Sequence, residues 1–141
     1  MILSLDPGVH VAGFALWHNY RLFQAGLLRD EEKITNQELT EIVVELPQVY
    51  RRGKGDSNDL IALAFAAGLI VGELRGYAKI IKYSPATWKG QVPKTIMIER
   101  IKQGLSDKEH DRVNLPTAKS LAHNVWDAVG IGLYHLRGVR R

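Results

Sequence analysis

The spacing of apolar residues changes near residue 56 of this 141-residue chain, and that change limits the possible folds more than any other feature. Up to that point the rhythm has period two, the spacing of strands that turn one side chain in and the next out. Ile2, Leu3 and Leu5 run into an Asp6-Pro7-Gly8 turn, and residues 11–17 read as a second strand, so the chain opens with a hairpin. Residues 20–28 supply a third strand, and the acidic stretch 30–41 a connection with at most a short helix. Residues 41–46 form a β-branched fourth strand, which Pro47 ends by removing a ladder donor. Glu45 thereby falls at a strand end.

Past residue 56 the spacing turns helical. A long helix is predicted over residues 59–75, uncharged from Leu60 to Gly72 and preceded by the capping pair Asp56-Ser57. Residues 79–83 make a fifth strand, Ser84-Pro85 opens a short helix through Trp88 and Lys89, and Pro93 opens another to about Gly104. Ser106-Asp107-Lys108-Glu109 fits a capping box, and Pro116 is predicted to open the last helix, running to about Arg137. A strand meander followed by helices and one more strand predicts an α/β fold, with a mixed sheet covered by helices. The length and the 45% hydrophobic content suit one domain over residues 1–141, without repeats or linkers.

The chain has no cysteine, so disulfides and thiolate metal sites are excluded, and a bound metal must rest on oxygen or imidazole ligands. The start lacks the basic and apolar regions of a signal peptide, and no membrane span is expected, because the helix over 59–75 reads as too short. The expectation is a soluble, cytoplasmic protein. That helix has almost no polar face, and Ala62, Ala66, Ala67, Gly68 and Gly72 permit close packing. Burial on two sides is therefore expected, against the sheet and against a second subunit, making a homodimer. Charge divides unevenly. Residues 1–50 hold three Lys or Arg against seven Asp or Glu, whereas residues 51–141 hold sixteen against eight, which favours a polyanionic partner such as DNA.

Three acids occupy places that suggest chemistry: Asp6 and Glu45 at strand ends, and Asp127 inside the apolar stretch 125–133 of the final helix. Burying an ionised carboxylate there is costly without a partner or a cation. Asp6, Glu45 and nearby His123 each have an ordinary alternative: a turn-forming Asp before Pro-Gly, a surface charge at a strand end and a hydrogen-bonded surface histidine. As a set they point to a magnesium or manganese site, since gathered carboxylates repel one another until a cation neutralises them. His123 and Asn124, four and three residues before Asp127, share its helical face, and either can complete the coordination sphere.

These segments resemble RuvC-type resolvases of the ribonuclease H-like superfamily. Leu3-Ser4-Leu5-Asp6-Pro7-Gly8 followed by Gly13-Phe14-Ala15-Leu16 is similar to that family's first hairpin, with Asp6 as its first metal ligand. Val43-Val44-Glu45 resembles the strand of its second acid, and Ala122-His123-Asn124-Val125-Trp126-Asp127-Ala128 its last acidic motif. Short phage- or prophage-type members are the most similar, through Glu45-Leu46-Pro47-Gln48-Val49-Tyr50, Asn58-Asp59-Leu60-Ile61 and Trp88-Lys89-Gly90-Gln91-Val92-Pro93-Lys94. The pattern departs at Asn124, where the family usually carries an acid or a histidine, and the segment between the third and fourth strands is shortened.

The resemblance implies a ribonuclease H-like fold with five strands, the first three antiparallel, and an endonuclease that resolves four-way or branched DNA junctions. It implies two Mg2+ or Mn2+ ions per site, roughly 4 Å apart, bridged by Asp6, with Glu45 on one ion and Asp127 with Asn124 or His123 on the other. In-line hydrolysis would leave 5′-phosphate ends. The catalytic set would be Asp6, Glu45, Asn124 and Asp127. DNA would be held by Tyr50, Arg51, Arg52 and Lys54 in the loop after Glu45, by Lys89 and Lys94, and to a lesser degree by Arg137, Arg140 and Arg141. Rival readings are a nuclease acting on flaps or replication intermediates, a branched-DNA-binding protein that does not cut, which Asn124 favours, and an actin-like phosphotransferase fragment.

Overall fold

The computed structural model describes residues 1–29, 34, 38–49, 56–74, 76 and 78–138. In chain order the elements are β1 (Ile2–Asp6), β2 (Ala12–His18), β3 (Arg21–Leu28), β4 (Glu41–Glu45), α1 (Ser57–Leu74), β5 (Lys79–Tyr83), α2 (Pro85–Trp88), α3 (Lys94–Gln103), α4 (Asp107–His110), a 3-10 turn (Lys119–Leu121) and α5 (Ala122–Arg137). The strands form one five-stranded sheet in the order β3-β2-β1-β4-β5. β1, β2 and β3 pair antiparallel, while β4 runs parallel to both β1 and β5.

The period of two divides the sheet into faces. Leu3, Leu5, Phe14, Leu16, Ile42 and Val44 point to one side, where they form a core with Leu74 and Ala78. Ala15, Trp17 and Val43 point to the other, where Trp88, Ile101, Val125 and Val129 cover them. Ser4, Asp6 and Glu45 keep the same alternation as Val43, so they lie on the side that α5 covers.

α5 begins later than Pro116 suggests. After α4 the chain pairs with the edge of the sheet: Ala25 N–H donates to Arg112 O, and Asn114 N–H donates to Ala25 O. These bonds set Val113 in a bridge with Ala25, and after Pro116 the chain passes through a 3-10 turn before α-helical geometry is reached at Ala122. At its far end α5 is tied down by His135, whose Nε2 lies 2.8 Å from Glu41 Oε2 and whose Nδ1 lies 3.1 Å from the Tyr83 hydroxyl.

α1 packs against the sheet as expected and departs from expectation in its length. It packs on the sheet through one side, chiefly Ala67 and Leu74 with Ile70 and Val71, and among the described residues nothing covers the other side. Ile61, Phe65 and Leu69 are 67%, 67% and 52% exposed. Its 18 residues, at a mean hydropathy of 1.5, also reach what a membrane span requires by length and composition, which the sequence reading set too short.

Arg137 is a structural residue rather than part of a free basic tail. It donates to the carbonyls of Tyr20 and Gly104 and to Glu109 Oε1. Glu109 is buried and also accepts from Leu22 N–H, Ser106 N–H and Ser106 Oγ, completing the capping box that the sequence predicts. Burial alone would raise its pKa, but the bonds from Ser106, Leu22 and Arg137 outweigh it and hold the carboxyl at about 2. Because the folded value is depressed, this stabilisation is complete above the unfolded value and is lost as pH falls towards the folded one. Glu109→Ala is expected to lose about 3–5 kcal/mol in urea unfolding at pH 7. The gap to the parent protein should close between pH 4.5 and about 2.

Candidate active site

Two parallel strands bring the first acids together. β1 and β4 lie side by side with Leu5 opposite Val44, and one residue further each strand ends in its acid, Asp6 or Glu45. β5 runs parallel to β4 with Tyr83 opposite Glu45, so the turn that follows delivers α2 to the same end of the sheet. There the Trp88 indole Nε1 donates to Glu45 Oε2.

The third acid arrives on α5, and two contacts set its position. Ser4, two residues before Asp6, donates its hydroxyl proton to Ala128 O at 2.7 Å and accepts from Trp17 Nε1 at 2.9 Å. The indole of Trp17 lies against Gly132, where a Cβ would come within 2.2 Å of Nε1. At Gly13, the cross-strand partner of Asp6, the α5 backbone comes so close that a Cβ would lie 1.9 Å from Asn124 O. Pinned at both places, the helix turns Asp127 towards the strand ends.

The three carboxylates lie close enough to act on one another. Burial pushes the Asp6 carboxyl well above the usual range, and the charges of Asp127 and Glu45 raise it further, against the pull of Lys89 and Lys94. Burial also raises Glu45, although Lys89 and the Trp88 hydrogen bond draw it back. Lys89 Nζ stands 3.4 Å from Glu45 Oε2 and 3.3 Å from Asp127 Oδ2. Burial would lower its pKa, but the three carboxylates more than compensate and raise it.

The donor set suits a hard cation: carboxylate oxygens concentrated in a poorly solvated corner that already holds one positive group. It is not a preformed cage. Among the described residues no three His, Cys, Asp or Glu side chains stand ready to hold a metal ion, and the Lys89 ammonium bridges Glu45 and Asp127.

Asn124 is buried, with Nδ2 donating to Val11 O at 3.2 Å, so Oδ1 is the amide atom left for a ligand. His123 is half-buried, and among the described residues no hydrogen bond or ion pair joins it to the carboxylates. Lys94 is exposed at the start of α3, within electrostatic reach of Asp6. Tyr50, Arg51, Arg52, Lys54, Arg140 and Arg141 lie outside the described residues. Sequence reasoning does not single out Ser4, whose only signal is a hydroxyl between Leu3 and Leu5, or Trp88, whose proximity to Glu45 depends on the β4–β5 pairing. A cavity of about 790 Å³ lies at the opposite end of the sheet, beside Glu41, Lys79 and His135, away from the acids.

No family model matches the chain, and neither does any curated protein. Solved structures do. RuvC from T. thermophilus in complex with a Holliday junction substrate aligns at a TM-score of 0.50 and 16% identity, covering 99% of this chain and 94% of that one. A further Thermus thermophilus RuvC structure aligns at 0.51 and 15% identity, over 97% and 96% of the two chains. The fowlpox virus resolvase in complex with Holliday junction DNA aligns at 0.56 and 15% identity, over 99% and 100%. At these identities the likeness establishes the fold, which this chain shares with RuvC and the fowlpox virus resolvase, with its mixed sheet and flanking helices as expected.

The crowding of acids has a measurable cost. With its folded-state pKa raised, ionised Asp6 destabilises the protein at pH values above the ordinary carboxylate range. Asp6→Asn should therefore unfold at higher urea in EDTA at pH 8, by about 0.5–2 kcal/mol. That advantage should shrink as the pH is lowered towards 4.

Proposed function

We propose that this protein is a metal-dependent endonuclease that cuts branched DNA, with four-way junctions as its substrate. The observation that carries the proposal is the gathering of Asp6, Glu45 and Asp127 at one end of the sheet around Lys89. It is supported by the fold shared with RuvC and the fowlpox resolvase, both of which were solved with Holliday junctions.

Asp6, Glu45, Asp127 and the amide oxygen of Asn124 would hold divalent cations, Mg2+ or Mn2+, two to a site. Bound there, such ions supply a water activated at neutral pH and neutralise charge at the scissile phosphate. The protein's own part is positioning. Trp88 fixes the rotamer of Glu45 through its indole donor, Ser4 and Gly13 fix Asp127 through α5, and the Val11 carbonyl orients the Asn124 amide. Lys94 offers an exposed cation for the phosphates beside the cut. Tyr50, Arg51, Arg52 and Lys54 would add stacking and further phosphate contacts. Such an activity belongs to DNA recombination and repair, in the cytoplasm of a bacterial or phage-infected cell.

Paired cuts across a junction need two sites, and the uncovered face of α1 is the surface on which a second copy would sit. Ile61, Phe65 and Leu69 repeat at four-residue intervals along it. A second reading, a protein that binds branched DNA without cutting, is favoured by Asn124, which contributes no charge where the resemblance leads one to expect an acid or a histidine.

With labelled four-way junctions in Mg2+ and then Mn2+, the parent protein should cleave, and Asp6→Asn should lose more than about 100-fold while still binding the junction. An undiminished rate in that variant would remove Asp6 from the site. Asn124→Asp should raise the rate at limiting metal. If neither parent nor Asn124→Asp cuts, and both bind, the non-cleaving reading stands. In analytical ultracentrifugation the parent chain should sediment as a dimer and Phe65→Glu as a monomer; a monomeric parent would refute the α1 interface.

A further inference from the structure

We propose that Lys89 is a resident counterion of the metal-free site, one that a divalent cation must displace in order to load. The inference rests on the metal-dependent reading above and adds a competitor to it. The ammonium contacts Glu45 Oε2 at 3.4 Å and Asp127 Oδ2 at 3.3 Å, two of the oxygens that a metal would take. An ion coordinated by carboxylate oxygen sits about 2.0–2.6 Å from it. A metal and the ammonium would thus be two positive charges only a few ångströms apart in a poorly solvated corner, and they exclude each other.

The two donors that face Glu45 differ in their freedom to leave. Trp88 is buried in the core beneath α5, and its neutral indole donor stays whatever ion is present. The Lys89 side chain is 26% exposed, and its four-carbon stem lets the charged head swing out while the stem stays near the indole, where Nζ now lies 4.9 Å from the ring centroid. The backbone stays in place: Lys89 caps α2 with its N–H on Pro85 O, and the next residue, Gly90, takes a left-handed φ of 61° to turn the chain. Displacement is therefore a side-chain event. Lys89 makes both of its ion pairs with carboxylate oxygens that a cation would need, Glu45 Oε2 and Asp127 Oδ2. While it is in place, it offsets the mutual repulsion of the three acids and protects the metal-free fold.

The test is a Mn2+ titration of the full chain without DNA, at fixed ionic strength, reading free Mn2+ by electron paramagnetic resonance. Lys89→Met, which keeps the stem and removes the charge, should bind Mn2+ about 10-fold more tightly than the parent, the gain of one displaced competitor. Lys89→Arg, which keeps the charge, should bind as weakly as the parent. Urea unfolding in EDTA provides the companion measurement, with Lys89→Met less stable than Lys89→Arg. Equal or weaker Mn2+ binding by Lys89→Met would overturn the counterion role while leaving the metal-dependent reading intact. No Mn2+ binding at millimolar concentration by parent, Lys89→Met or Lys89→Arg would overturn both.

Discussion

The hydroxyl of Ser4 lies between the Trp17 indole on β2 and the Ala128 carbonyl on α5, and the placement of Asp127 beside Asp6 follows from that contact. A buried hydroxyl with both its donor and acceptor satisfied is rigid, because losing either partner leaves a polar group stranded away from water. Ser4 alternates with Asp6 along one strand, and Ala128 follows Asp127 along one helix. The same bond that fixes the helix on the sheet therefore fixes the spacing of the two acids. Gly13 permits this only because it has no Cβ where α5 crosses β2. The site is thus a property of the sheet–helix interface and needs no precise loop to assemble it.

The fold contains two opposite solutions to the burial of a carboxylate. Glu109 is surrounded by donors from Ser106, Leu22 and Arg137, and it ties α4 and α5 to the β2–β3 hairpin at a strongly depressed pKa. Asp6 is buried close to two further acids, with no hydrogen-bond donor among the described residues, and its pKa is raised. The first arrangement stabilises the fold. The second opposes folding at neutral pH and is sustained by the packing around it, as expected of a site shaped for a ligand.

Much of this could be read from the sequence because it depends on local rules. The Asp6-Pro7-Gly8 turn, the end of β4 at Glu45 before Pro47, the fifth strand and the Ser106–Glu109 capping box are set by neighbours a few residues apart. What stayed hidden depends on distant partners. Pro116 has the chemistry to begin a helix, yet after the edge pairing with Ala25 the chain runs on through a 3-10 turn and α5 begins only at Ala122. Arg137 looks like a solubilising terminal charge until Tyr20, Gly104 and Glu109 are brought to it from elsewhere in the chain. Lys89 reads as a DNA contact from its basic, Gly-containing turn, but the parallel pairing of β4 and β5 carries it into the acids. The apolar length of α1 was legible, whereas which side the sheet would cover was not.

Diffraction from crystals soaked in Mn2+, with anomalous scattering used to locate the metal, addresses the central claim directly. Manganese peaks within coordination distance of Asp6, Glu45 and Asp127, with the Lys89 head moved away from them, are the predicted result. A carboxylate cluster that stays metal-free at saturating Mn2+, or peaks confined to other parts of the surface, would contradict the account.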